Sequence, residues 1–242
     1  MLTFRSILFN FLFYTTSVIA GLLGLPLLLG PQNYAIRFMR AVGLWNLWLL
    51  KIIAGTKYEV RGLENLGTSP VIVASKHQSM WETVSLLAIV DNPALILKQE
   101  LLYIPLYGQY VKKAGMIPIR RSDGPKALRT MLRQADEAVK SGRHLIIFPE
   151  GTRAAPGARN PYMPGVAGLY GHLDVPCVPV ALNSGLFWPR RQLQRKPGTI
   201  VVEFLPPIPP GMNRKAFMSE LENQIEGATG KLLAEAGFTP TA

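Results

Sequence analysis

Pro70-Val71-Ile72-Val73-Ala74-Ser75-Lys76-His77-Gln78-Ser79-Met80-Trp81-Glu82 is the stretch on which the fold turns. Val71–Ala74 is apolar at every position, with no polar alternation, as expected of a strand covered on both faces. Ser79 is a good helix N-cap, and Glu82 three residues later completes a capping-box spacing. A helical pattern then runs over Ser79–Val90. A covered strand turning sharply into a helix is one unit of an α/β architecture.

The same pattern repeats outward. Apolar, β-branched runs occur at Lys57–Arg61, Ala94–Leu97, Met116–Ile119, His144–Phe148, Val178–Leu182 and Thr199–Phe204. Helical periodicity falls between or after them. Gly124–Lys140 carries a stripe of Ala127, Leu128, Met131, Leu132, Ala135 and Val139, and Arg214–Ala236 carries Phe217, Leu221 and Ile225. The expectation is an α/β fold with a largely parallel or mixed central sheet flanked by helices. Leu205–Gly211, rich in proline, reads as a stiff extended connector.

Residues 1–55 have a different character. No charged residue lies between Arg5 and Arg37, and Ile7–Leu29 is nearly all apolar. About 20 such residues span a bilayer core as a helix. A cleaved signal peptide is a rival, with Val18-Ile19-Ala20 as its site, but the apolar run continues past Ala20. A second apolar stretch, Ala41–Ala54, holds Trp45 and Trp48 between Arg40 and Lys51, the pattern of an interfacial anchor. Two arrangements fit: a helical hairpin entering and leaving one leaflet, or a single span that places Arg5 on the far side. The chain thus divides into a membrane-anchoring segment, residues 1–55, and an α/β domain, residues 56–242.

The 242 residues carry 26 Lys+Arg against 15 Asp+Glu, a formal charge of +11, which points to anionic partners. Anionic lipid or phosphorylated substrate suits it better than nucleic acid, because no basic run or nucleic-acid motif is present. The single cysteine, Cys177, sits among valines as a core thiol and leaves no disulfide framework. The catalytic region is expected to face a reducing cytoplasm. His77, His144 and His172 are scattered, so no metal centre is expected.

His77 stands where the strand should end. Glu82 lies in the first turn of the following helix, within hydrogen-bond reach. On its own, Glu82 needs no role beyond capping, and His77 none beyond a buried hydrogen bond. Together they have the geometry of a general base and the carboxylate that orients it. Phe148-Pro149-Glu150-Gly151-Thr152-Arg153 follows another strand, and its loop glycine and arginine suit an anion. Lys98 and Arg120-Arg121 follow two further strands. Strand ends on one edge of an open sheet are where such folds bind ligands.

These motifs resemble those of the 1-acylglycerol-3-phosphate acyltransferase family, over roughly Val60 to Pro210. The H-x-x-x-x-D block corresponds to His77–Glu82, the G-x-x-x-I-D-R-like run to Gly115–Arg121, F-P-E-G-T-R to Phe148–Arg153, and V-P-x-x-P-V to Val175–Val180. The resemblance implies that His77 activates the sn-2 hydroxyl of lysophosphatidic acid, which attacks the thioester of acyl-CoA or acyl carrier protein. It implies that Lys98, Arg121 and Arg153 hold the acceptor phosphate, and that Glu150, Gly151 and Thr152 shape the acceptor site. It further implies phosphatidic acid as product, a Gly151-region N–H at the oxyanion and no cofactor. It places the enzyme at the inner membrane with its catalytic domain facing the cytoplasm. Two positions depart from the family pattern: Glu82 and Arg120 both stand where aspartate is usual. Glycerol-3-phosphate or a lyso-aminolipid are alternative acceptors. A non-catalytic anionic-lipid-binding protein would have no use for His77. A serine hydrolase lacks its G-x-S-x-G elbow here.

Overall fold

The computed structural model describes residues 1–239, except for the side chain of Arg121. Residues 240–242, the tail of the expected α/β domain, lie outside the described residues.

Seven strands form one sheet: β1 (Thr56–Arg61), β2 (Ile72–Ser75), β3 (Pro93–Lys98), β4 (Ile117–Ile119), β5 (His144–Ile147), β6 (Cys177–Leu182) and β7 (Gly198–Phe204). Their order is β1-β7-β6-β2-β5-β3-β4. Among the described residues only β6 and β7 pair antiparallel as strands, so the sheet is mixed. Every run read as a strand in the sequence is one.

Strand side chains alternate between faces, and β2 shows what that does here. Val71 and Val73 enter one core, and Ile72 and Ala74 the other. The first core is covered by α1 (Leu2–Leu23), α2 (Gln32–Leu49), α3 (Trp81–Ile89) and α4 (Tyr107–Lys113). The second is covered by α5 (Pro125–Lys140), α6 (Gly165–Leu173) and α7 (Arg214–Glu235). Both α4 and α6 escaped the sequence pattern. α6 holds three glycines in nine residues, poor helix formers, and packing of Val166, Leu169 and Tyr170 stabilises it. In α4, a Cβ on Gly108 would lie 1.9 Å from the Leu102 carbonyl oxygen, so only glycine permits that turn.

The amino-terminal elements form a hairpin. α1 passes through a short 3-10 turn at Leu25–Leu29 into α2. α2 begins well before the expected Ala41, because Arg37 and Arg40 interrupt the apolar run but not the helix. Trp45 Nε1 donates to Thr16 Oγ1 at 3.1 Å, and Asn46 Nδ2 to Ser17 Oγ at 3.2 Å. The polar residues within the apolar first stretch thus tie the two helices together. Arg5 Nε donates to the Ile53 carbonyl at 2.6 Å, so both ends of the hairpin lie side by side. The two helices thus form an antiparallel hairpin with Arg5 and Ile53 at the same end.

One face of α1 is bound to the body of the protein. Phe9 and Phe13 meet the Trp188 ring edge-on at 5.3 and 5.6 Å. Asn10 Oδ1 accepts from Arg195 Nη2 at 2.8 Å, and that guanidinium lies 4.5 Å over Trp188. Burial pushes Arg195 down to about 10. The other face exposes Phe4, Ile7, Phe11, Val18 and Leu22. α1 has 22 residues and a mean hydropathy of 1.7, long and apolar enough to cross a membrane.

Candidate active site

β2, β5, β3 and β4 are adjacent and parallel, so their carboxyl ends share one edge of the sheet. His77 follows β2, Phe148–Arg153 follows β5, Lys98 ends β3 and Arg121 follows β4. Four stretches far apart in sequence therefore converge, and the chain direction of each strand is what brings them together.

The His77 ring stacks on Phe148, with centroids 4.1 Å apart and planes 16° apart. Its Nδ1 lies 2.9 Å from Glu82 Oε1. With Glu82 ionised, Nδ1 carries the proton and Nε2 keeps its lone pair, the arrangement a general base needs. Glutamate in place of the usual aspartate thus reaches the ring without difficulty.

Glu82 is fully buried and saturated with donors. Its Oε1 also accepts from the Gln78 and Ser79 N–H groups at 2.5 and 2.6 Å, and Oε2 from the Ser79 and Ser184 hydroxyls at 3.0 and 2.8 Å. The same carboxylate gathers the Gln78 and Ser79 N–H groups ahead of α3, which starts at Trp81 rather than Ser79, and orients the imidazole. Burial pushes this carboxyl up, but the hydrogen bond and charge of His77, with Ser79 and Ser184, outweigh it and hold the group below the usual carboxylate range.

Because its folded pKa is depressed, ionised Glu82 contributes stability above the pKa of an unfolded glutamate, about 4.3. That contribution is lost as pH falls from there through the folded value. Glu82→Gln should therefore show a shallower loss of stability between pH 5 and pH 3 in urea titrations. Parallel acid limbs for the two proteins would refute this. Glutamine can keep the backbone caps but not the charge. The same variant should melt below the wild type at pH 7, by the stability the ionised carboxylate contributed, while kcat falls about 10–100-fold, part of the 10²–10⁴ that a positioned base supplies. Full kcat would leave capping as its only role.

A cavity of about 1060 Å³ opens beside His77, at the upper end of ligand-site volumes. α1, α2, α3 and the Lys98–Tyr110 segment contribute an apolar wall, including Met80, Val84, Leu87 and Leu101. Lys98, Gly151, Thr152 and Arg153 also line it. Burial lowers the Arg153 pKa, opposed by the nearby Glu82 charge and reinforced by Arg190. Arg190, which the motifs did not single out, is on the same wall and donates from Nη1 to the Arg153 carbonyl at 3.0 Å. The side chain of Arg121 is outside the described residues.

One expected site residue, Glu150, lies off the cavity wall, and one expected backbone donor, the Gly151 N–H, is engaged elsewhere. Glu150 is buried behind His77, off the cavity wall, and its Oε1 accepts from the His77 N–H at 3.2 Å. Burial raises its pKa, against the lowering effect of Lys76. Gly151 has φ of 64°, where glycine is favoured, and its N–H closes a turn onto the Phe148 carbonyl at 2.9 Å. That N–H is spent. Among the described residues, no backbone carbonyl accepts from the Thr152 or Arg153 N–H. Ser184 also escaped the sequence reading, since it arrives from 102 residues away and carries no motif.

Comparison with known proteins agrees with this geometry. The family model described as Acyltransferase matches residues 57–183. A Pseudomonas aeruginosa protein named 1-acyl-sn-glycerol-3-phosphate acyltransferase is 35% identical over 237 residues, covering 96% of this chain and 91% of that one. A Saccharomyces cerevisiae protein of the same name is 27% identical, over 97% of this chain and 82% of its own. In three dimensions the chain resembles the crystal structure of the 1-acyl-sn-glycerophosphate acyltransferase PlsC from Thermotoga maritima. The TM-score is 0.80 at 22% identity, covering 99% of this chain and 100% of that one, a likeness of fold. By family match and by sequence over nearly its whole length, the chain belongs to the acyltransferase family, with the 1-acylglycerol-3-phosphate acyltransferases.

Proposed function

We propose that this enzyme moves a fatty acyl group from a thioester donor, acyl-CoA or acyl carrier protein, to the sn-2 hydroxyl of 1-acylglycerol-3-phosphate. The observation that carries the reading is the His77–Glu82 pair opening onto a lipid-sized cavity that also holds Lys98 and Arg153. His77 Nε2 takes the hydroxyl proton as the oxygen attacks the thioester carbonyl. The resulting imidazolium is stabilised by Glu82. The tetrahedral intermediate collapses with loss of the thiolate, which takes the proton back from His77, giving phosphatidic acid and free thiol. The N–H groups of Thr152 and Arg153 are the donors available for the oxyanion. Lys98, Arg121 and Arg153 bind the acceptor phosphate, and no cofactor takes part.

The enzyme acts at a membrane. The exposed apolar face of α1 and the stacked pair Trp45 and Trp48, half exposed with centroids 5.0 Å apart, support an interfacial seat. The hairpin would lie in the leaflet that holds the acceptor, at the inner membrane with the catalytic domain towards the cytoplasm.

The test measures thioester consumption by purified enzyme offered lysophosphatidic acid, glycerol-3-phosphate and a lyso-aminolipid, with acyl-CoA and acyl carrier protein compared as donors. Lysophosphatidic acid should be consumed fastest. Preference for either other acceptor would overturn the substrate assignment.

A further inference from the structure

Strand alternation continues past the end of β2. The Lys76 N–H still joins the ladder, donating to the Val180 carbonyl at 2.9 Å. His77 therefore faces the amino-terminal helices and the cavity, and Lys76 the opposite side, towards α7. There the lysine is about 99% buried. Its Nζ lies 2.7 Å from Glu226 Oε1 of α7, 3.3 Å from Glu150 Oε1 and 3.3 Å from the Ala158 carbonyl. The Tyr162 hydroxyl donates to the same Glu226 oxygen at 3.0 Å. Glu150 Oε1 in turn receives the His77 N–H, and the His77 carbonyl accepts from the Ala154 N–H at 2.8 Å.

Burying one lysine against two carboxylates is costly, and apolar residues would serve stability as well. This network runs without a break from the middle of α7 to the main chain of His77. The fold needs no ion there to join α7 to the sheet, because Phe217, Leu221 and Ile225 already do so. We infer that Glu226 and Lys76 are positioning residues. They tether Glu150 and the β2 end so that the His77 imidazole is presented to the cavity at a fixed depth. α7, distant from the cavity wall at Glu226, thereby belongs to the working part of the enzyme. The inference rests on His77 acting as the base.

The test uses the full chain and three changes. Lys76→Met/Glu226→Leu replaces the ion pair by apolar side chains of similar size but also takes the counter-ion from buried Glu150, so its melting is checked first. Where it folds, it should turn over about 10–100-fold more slowly, with KM for donor and acceptor unchanged, as a misplaced base requires. Glu226→Ala leaves Lys76 with Glu150 as counter-ion and should lose kcat in the same way, which decides the matter if the apolar pair does not fold. Glu226→Gln keeps an acceptor for Lys76 Nζ and Tyr162, so it should recover most of kcat. Wild-type kcat in the folded apolar pair or in Glu226→Ala would reduce the network to a structural role, as would a Glu226→Gln enzyme no faster than Glu226→Ala. His77→Ala is run beside them. Undiminished turnover there overturns the functional reading itself, whereas a silent His77→Ala with full-speed Glu226 variants overturns only the tether.

Discussion

Exchanging His77 for alanine should lower kcat about 10²–10⁴-fold, the contribution expected of a well-placed general base. KM for both substrates should stay near the wild-type value, because in the proposed mechanism the ring meets the reacting hydroxyl and neither the phosphate nor the acyl chain. Folding should be little affected. The ring is partly accessible, and the contacts it gives up are one stack on Phe148 and one hydrogen bond to Glu82. Glu82 keeps four other donors, so its charge is not stranded. Single-turnover measurement with saturating thioester separates the chemical step from product release. A His77→Ala enzyme that reacts at the wild-type rate would remove the base from the mechanism, whatever the family resemblance.

Exchanging Arg153 for alanine has the second-largest expected effect, and its signature is selectivity. A charge-assisted hydrogen bond to a phosphate contributes about 1.5–3 kcal/mol, so kcat/KM for lysophosphatidic acid should fall about 10–100-fold. For the neutral 1-acylglycerol, which offers no phosphate, the same change should matter little. The ratio between the two acceptors is therefore the quantity to measure. Arg153→Lys should recover only part of it, because an ammonium lacks the planar fork of the guanidinium. Arg153 is also near Glu82 and Arg190, so equal losses on both acceptors would mean that it supports the base rather than the phosphate.

Much of the architecture was legible before any coordinates. The seven runs read as strands became seven strands, because short β-branched stretches bounded by turn residues are too brief for helices and fit a pleated sheet. The long helices α5 and α7 were legible from their stripes. α4 and α6 were not: one is short, the other rich in glycine, and tertiary packing decided both. Capping and catalysis appeared as competing roles for Glu82. In the structure one carboxylate meets both sets of partners, Oε1 facing two backbone N–H groups and the His77 ring, and Oε2 two hydroxyls.

What the sequence by itself determined is the class of fold, the identity of the His77–Glu82 pair and the family, since these rest on local spacing and on short motifs. Which residues meet across long separations belonged to the tertiary structure alone. Ser184 reaches Glu82, Glu226 reaches Lys76, and Arg5 returns to Ile53. Glu150 illustrates the difference most clearly. Its motif assigned it to the substrate site, yet the turn closed by Gly151 directs its carboxylate behind the histidine. No pattern along a chain encodes such contacts. They follow from the order of strands in the sheet and from the face on which each side chain emerges.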